Sequence, residues 1–188
     1  MRYTIGGVFN YGGWPNTAGS NFMPRPCMLN YNGTVAYYLD PNDYTKKVDG
    51  TASDVANTSF GGNVMMEWPK IYTKREFVNG VYKFRCCDAK LDSSYDCWCN
   101  YDKNNKEIDH FYTPIYAGTV ISGRLRSISG VNCTNTGVSV TTVISDAEAN
   151  GSGWYIENLA DRLLIQDLLV MMAKSTNTQI SYGIGYGS

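Results

Sequence analysis

Apolar and polar positions alternate most clearly in the first two thirds of the chain. Tyr82, Phe84 and Cys86 alternate with Lys83, Arg85 and Cys87, the period-2 pattern of a half-buried strand. Residues 64–67, 70–74, 81–87 and 96–101 carry β-branched and aromatic side chains, punctuated by Asn79-Gly80, Asp92-Ser93-Ser94 and Asp102-Lys103-Asn104-Asn105. They predict one run of strands, continued by 111–116, 119–121, 125–128 and 138–144. Upstream, Cys27-Met28-Leu29 and residues 34–39 flank Asn32-Gly33, a strong short-range hairpin signal. Residues 1–26 are rich in Gly, Asn and Pro and read as an arm with one short strand at 3–9. Residues 44–61 are polar, with a short helix expected at 53–57.

The period changes near the C-terminus. Residues 154–174 contain no Gly or Pro, and Ser152 is placed to cap them. Such a helix spans about 31 Å. Its first half is two-faced, whereas Leu163-Leu164-Ile165-Gln166-Asp167-Leu168-Leu169-Val170-Met171-Met172 is apolar nearly all round, which predicts burial on most sides. Gln166 and Asp167, placed among these apolar neighbours, are expected to satisfy nearby backbone groups. A polar turn at 175–179 leads to a short Gly/Tyr strand at 180–186. With no convincing linker or repeat, the reading is an N-terminal arm (1–26) and a single α+β domain (27–188). That domain is mostly antiparallel β with one long buried helix.

Composition narrows the function classes. Of the 188 residues, 43% are hydrophobic and only 18% charged, and the net charge is −1. A near-neutral chain lacks the basic stripe of a nucleic-acid binder. Its abundant aromatics, 15 Tyr, 4 Trp and 6 Phe, exclude disorder. The longest strictly apolar stretch, 168–173, is far below the roughly 20 residues of a membrane span, and no signal-peptide core is apparent at the start. Cytoplasmic synthesis with reduced thiols is therefore the expectation for Cys27, Cys86, Cys87, Cys97, Cys99 and Cys133. On that expectation the Asn-x-Ser/Thr triplets at Asn32, Asn57, Asn132 and Asn150 are not glycosylated.

No catalytic set is legible. The one histidine, His110, reads as a surface or sheet-edge residue, and no nucleophile elbow or cysteine-protease signature accompanies it. Cys86-Cys87 and Cys97-x-Cys99 lack the usual zinc-knuckle spacing. Adjacent strand cysteines point to opposite faces, so only one of the first pair can join the second. Ordinary buried thiols, a cross-hairpin disulfide and zinc rank in that order. Residues 102–107 lack the Gly and closing Glu of a calcium loop, and the terminal Gly-Ile-Gly-Tyr-Gly follows a helix instead of opening one. The acids Glu67, Asp88, Asp92, Asp96 and Asp109 read as solvated loop groups without an assignable glycosidase pair. No catalytic residue, metal site or cofactor is assigned. Trp14, Tyr95, Trp98, Tyr101 and Tyr112, with Phe111, lie in or beside predicted turns. There they suit sugar rings or protein partners, with ordinary core packing as the competing reading.

Three blocks resemble tailed-bacteriophage virion proteins of the tail-fibre or receptor-binding type found in phages of gut bacteria. The first is Met28-Leu29-Asn30-Tyr31-Asn32-Gly33-Thr34-Val35, then Leu39-Asp40-Pro41-Asn42-Asp43-Tyr44 and Asp49-Gly50-Thr51-Ala52-Ser53-Asp54. The second opens with Gly62-Asn63-Val64-Met65-Met66-Glu67-Trp68-Pro69-Lys70-Ile71-Tyr72 and ends with Leu125-Arg126-Ser127-Ile128-Ser129-Gly130. The third is Ala149-Asn150-Gly151-Ser152-Gly153-Trp154, the helix, and Ser175-Thr176-Asn177-Thr178-Gln179. The resemblance implies a non-enzymatic virion component with a C-type-lectin-like domain, made in the cytoplasm of the host bacterium. It implies a homo-oligomer, with a trimer among the options, contacting other virion proteins and a host-surface glycan or protein. Capsid or tail decoration and a virion-associated glycan-degrading enzyme are the alternatives. Similar chains continue into a further Gly-rich portion where this one stops at Ser188, so the sequence is a trimmed version or part of a longer protein. The family supplies no catalytic motif to carry over, and the cysteine cluster is not one of its features.

Overall fold

The computed structural model describes residues 2–4, 8–10, 22–133, 137–173 and 175–183. Its strands in chain order are β1 (Arg2–Thr4), β2 (Val8–Asn10), β3 (Arg25–Asn30), β4 (Val35–Asp40), β5 (Asp43–Lys47) and β6 (Gly62–Pro69). They continue as β7 (Tyr72–Val78), β8 (Val81–Cys87), β9 (His110–Pro114), β10 (Thr119–Ile121) and β11 (Arg124–Arg126). The helices are α1 (Val140–Glu148), α2 (Leu159–Ala173) and α3 (Thr178–Tyr182). The class is α+β, with mostly antiparallel sheets and its longest described helix, α2, towards the C-terminus.

Two compact units share the chain. Unit 1 takes residues 1–23, 69–109 and 158–188, and unit 2 takes residues 24–68 and 110–157. Each is assembled from separated segments, so no composition shift or linker marks the division along the sequence.

Unit 2 is built on a five-stranded sheet in the order β5-β4-β3-β6-β9. Its centre obeys the strand period: Met28 of β3 packs with Leu39, Val55 and Val64, while Cys27 and Leu29 pack with Met65. Both faces of the β3–β6 pair are therefore buried. Pairing of Asn30 with Gly62 brings the backbones so close that a Cβ at Gly62 would collide with the Leu29 carbonyl. Gly151, at φ +144°, likewise faces the Tyr31 carbonyl, which also accepts from Trp154 Nε1 at 2.9 Å. The β10–β11 hairpin turns through Ser122-Gly123, both at positive φ, as a two-residue hairpin loop requires. Helix α1 packs against β11.

Unit 1 carries an antiparallel sheet in the order β2-β1-β8-β7. Asn79-Gly80, both at positive φ, closes the β7–β8 hairpin. Helix α2 buries Asp161, Leu164, Asp167, Leu168 and Met171, an i, i+3, i+4 stripe.

Several expectations change. The β3–β4 hairpin forms as read, the strands expected at 70–74 and 81–87 appear as β7 and β8, and the 3–9 segment supplies parts of two short strands. Residues 138–144, expected as a strand, open helix α1, because the Ser139 side chain accepts from the Thr142 N–H and caps a β-branched run. Residues 96–101 form turns with two isolated bridges, Asp96 to Thr73 and Tyr101 to Glu107, not a strand. No helix forms at 53–57, where the Tyr37 hydroxyl donates to Asp54 and accepts from its N–H. Residues 178–182 are helical in place of the strand expected from 180, and 184–186 lie outside the described residues. Helix α2 begins at Leu159, and its cap is Asn158, not Ser152. The Asn158 carboxamide accepts from the Asp161 N–H at 3.0 Å, and the Asp161 carboxylate accepts from the Asn158 N–H at 3.4 Å. Nor is α2 buried on most sides: Leu159, Leu163, Leu169 and Met172 are exposed.

Candidate functional site

A cavity of about 400 Å³ among the described residues belongs to unit 1. The N-terminal half of α2 supplies Leu159, Ala160, Leu163 and Leu164, strand β7 supplies Thr73 and Arg75, and Ile71, Trp98 and Cys99 complete the lining. Its walls are therefore mostly aliphatic, with one cation. Strand β7 orients that cation. Arg75 donates from Nε to Asp167 Oδ2 at 2.8 Å and from Nη1 to Thr73 Oγ1 at 3.1 Å, and its guanidinium lies 5.3 Å from the centre of the Phe84 ring. Nη2 is buried and has no hydrogen-bond partner among the described residues. The Trp98 indole is 64% exposed at the cavity. Burial, with Asp161 as the next cause, pushes the Cys99 thiol well above its ordinary range, so it stays protonated.

Of the five sequence candidates, only Trp98 lines this cavity. Tyr95 is buried with Tyr72 and Cys97, and Tyr101 packs against the same cluster. The Tyr101 hydroxyl donates to Asp96 Oδ1 at 2.9 Å, and that bond, followed by burial, raises its pKa strongly. Tyr112 belongs to unit 2 and is half-buried, its hydroxyl on Glu67. Phe111 is buried and stacks on Trp68 at 6.0 Å between centroids. Trp14 lies outside the described residues.

Cys27, Cys87, Cys97, Cys99 and Cys133 are not in disulfides, and the described residues contain no group of three or more His, Cys, Asp or Glu placed to hold a metal ion. Cys87 packs on the Tyr72, Tyr95 and Cys97 cluster. Cys86 is buried, and that burial pushes its thiol up to about 12.

The acids named from the sequence are mostly committed locally. Asp92 holds the Ser94 N–H at 2.7 Å, Asp96 accepts from the Cys97 N–H at 2.7 Å, and Asp109 pairs with Lys70 at 3.1 Å. Asp167, expected to serve backbone groups, is buried and accepts from the side chains of Arg75 and Tyr82. Gln166 is exposed.

Unit 2 holds two buried charges. Glu67, 4% exposed on β6, accepts from Arg25 at 2.6 Å, Tyr38 at 3.1 Å and Tyr112 at 3.0 Å, and His110 Nε2 lies 3.9 Å away. Burial alone would raise its pKa, but Arg25, Tyr112, His110 and Tyr38 together outweigh it and hold the carboxyl below its ordinary value. Arg126 on β11 is equally buried. It donates to Asn63 Oδ1 at 3.1 Å and to the carbonyls of Thr58, Phe60 and Gly62 at 3.3, 2.9 and 2.7 Å, and lies 5.3 Å from the centre of the Tyr31 ring. Burial lowers its pKa.

The sequence singled out Trp98 and flagged Asp167, but not Arg75, Glu67 as a buried group, or Arg126. Arg75 sits in a strand whose alternation gives no sign of its bond to a helix 92 positions later. Glu67 follows an apolar run in β6, and that placement was the available signal. Comparisons with protein-family models, curated proteins and solved structures return no match.

Proposed function

We propose that the chain is a structural component of a tailed-phage virion, a fibre or appendage module that contacts the host surface. The particle assignment rests on the three sequence blocks. The contact role is supported by one observation above the others: an exposed indole, Trp98, at the edge of an open, mostly aliphatic cavity with a polar group inside it. Concave apolar sites with few directed polar groups are the usual form of ligand pockets. Many copies on one particle convert weak single contacts into useful avidity. A C-type-lectin-like domain is part of the same proposal, supported by antiparallel sheets combined with short helices.

The architectural reading has its own support. Leu159, Leu163, Leu169 and Met172 expose apolar surface on α2, suited to burial at a subunit contact. Particles carrying Trp98→Ala separate the two readings. Host contact requires the chain to be present in purified particles and adsorption to fall about tenfold or more. Particles that contain the variant and adsorb normally would support the architectural role, and particles lacking the chain would overturn both.

A further inference from the structure

We infer that Asn79-Gly80, at the tip of the β7–β8 hairpin, is a self-modification site at which the folded protein converts Asn79 to aspartate and isoaspartate. This goes beyond the host-contact reading and does not depend on it. The chain has three Asn-Gly pairs, at 32–33, 79–80 and 150–151. In each, a glycine without a Cβ leaves its amide nitrogen sterically open to attack the preceding side chain. The fold treats the three differently. Asn150 is buried, its Nδ2 donates to the carbonyls of Leu125 at 2.8 Å and Ala147 at 3.1 Å, and the Gly151 N–H donates to Glu148 at 3.0 Å. Asn32 is exposed, but its Oδ1 accepts from the Thr34 N–H at 3.0 Å and the Thr34 hydroxyl at 2.7 Å. The Gly33 N–H is also in use, donating to the Asn30 carbonyl at 2.9 Å. Asn79 and Gly80 are both exposed, and neither the Asn79 carboxamide nor the Gly80 N–H has a hydrogen-bond partner among the described residues.

The step needs only solvent. A base takes the Gly80 amide proton, the nitrogen attacks Asn79 Cγ, and the Cγ–Nδ2 bond breaks as ammonia leaves, closing a succinimide ring. Water then opens the ring at either carbonyl. Opening at Cγ leaves aspartate, and opening at the main-chain carbonyl leaves isoaspartate, with the backbone running through Cβ. Water enters, ammonia leaves, and nothing is oxidised or reduced. Both residues sit at positive φ, so the turn must open briefly for the attack. An exposed hairpin tip opens at little cost, and here the cross-strand pair behind it is Val78 with Val81. At 32–33 and 150–151 the glycine nitrogen must first break its own hydrogen bond, and each such bond slows the step by up to about tenfold. Aspartate suits the two-residue loop as asparagine does. Isoaspartate lengthens that loop beside the exposed Phe77 and Val78. Either product adds a negative charge at the tip.

The test is incubation of the whole protein at mildly alkaline pH, sampled over time by peptide mapping with mass spectrometry and an isoaspartate assay. Asn79 is expected to convert first, with isoaspartate in the product, about tenfold or more faster than Asn32, while Asn150 stays intact. In urea the hydrogen bonds that distinguish the sites are gone, so the three rates should approach one another. Asn79→Gly keeps a residue that accepts positive φ and should remove the fastest isoaspartate formation without changing the rate at Asn32. Asn32 or Asn150 converting as fast as Asn79 in the folded protein overturns the proposal, and so does an Asn79 that converts in urea but stays intact when folded. The same rate order in urea would place the selection in the local sequence, and aspartate without isoaspartate would exclude the succinimide; each overturns it as well. None of these results depends on particle adsorption.

Discussion

Unit 1 and unit 2 each withdraw an arginine from water among polar partners, but they finish the task differently. In unit 2, Arg126 distributes its donors over Asn63 and three backbone carbonyls, and Glu67 is enclosed by Arg25, Tyr38 and Tyr112. In unit 1, Arg75 stops one donor short, beside a cavity. A saturated network fixes the positions of the segments that supply its groups. Burial does not mark that difference, because all three charged groups are largely or wholly withdrawn from water.

The largest effect is expected at Arg126. Arg126→Ala strips the donor from three carbonyls and Asn63 and leaves a cavity, a loss of about 3–5 kcal/mol. Hydrogen exchange at β3 and β6 amides reads it, and near-normal protection there would show that this group is not scaffold. Arg126→Lys should recover only part, because an ammonium cannot reproduce the planar fork.

Glu67→Ala comes next, at about 2–4 kcal/mol, since it leaves Arg25 and two hydroxyls without their acceptor. Its sign with pH follows from the depressed pKa. The stabilisation is fully present above the ordinary glutamate value of about 4.3 and is lost as pH falls through the lower folded value. Glu67→Gln should therefore flatten the acid side of the stability profile in urea unfolding. A profile unchanged from the parent would show that Glu67 contributes no linkage.

Gly62→Ala is expected to cost about 1–3 kcal/mol, because β3 and β6 must separate to admit the methyl group against the Leu29 carbonyl. At Asn158, substitution by Ala removes the α2 cap and should cost about 1 kcal/mol, read as earlier exchange in the first turn of α2. Trp98→Ala stands at the small end, within about 0.5 kcal/mol in stability, because the indole is mostly exposed. A large stability loss there would make Trp98 a packing residue and weaken the contrast between the units.

Local chemistry was legible in the sequence where it was short-ranged. Asn79-Gly80 marks a turn because both positions take positive φ, and the β8 alternation follows from the pleat. Residues 138–144 misled because β-branched composition was outweighed by one serine cap. The α2 sequence was apolar nearly all round, and composition could not say that one side would face no described core. Trp98 was visible as a turn aromatic, but its partner in the site, Arg75, is defined by Asp167 on another element. Such long-range pairings leave no mark within either segment, and neither does a division into units built from interleaved pieces.

Whether unit 1 is the contacting side of a virion module is decided by an electron-cryomicroscopy map of the assembled particle. The expected map has this chain on the particle exterior with Trp98 and the cavity edge uncovered. A map in which neighbouring subunits bury Trp98 and the exposed Leu159 and Leu163 of α2, or which has no density for the chain, would contradict it.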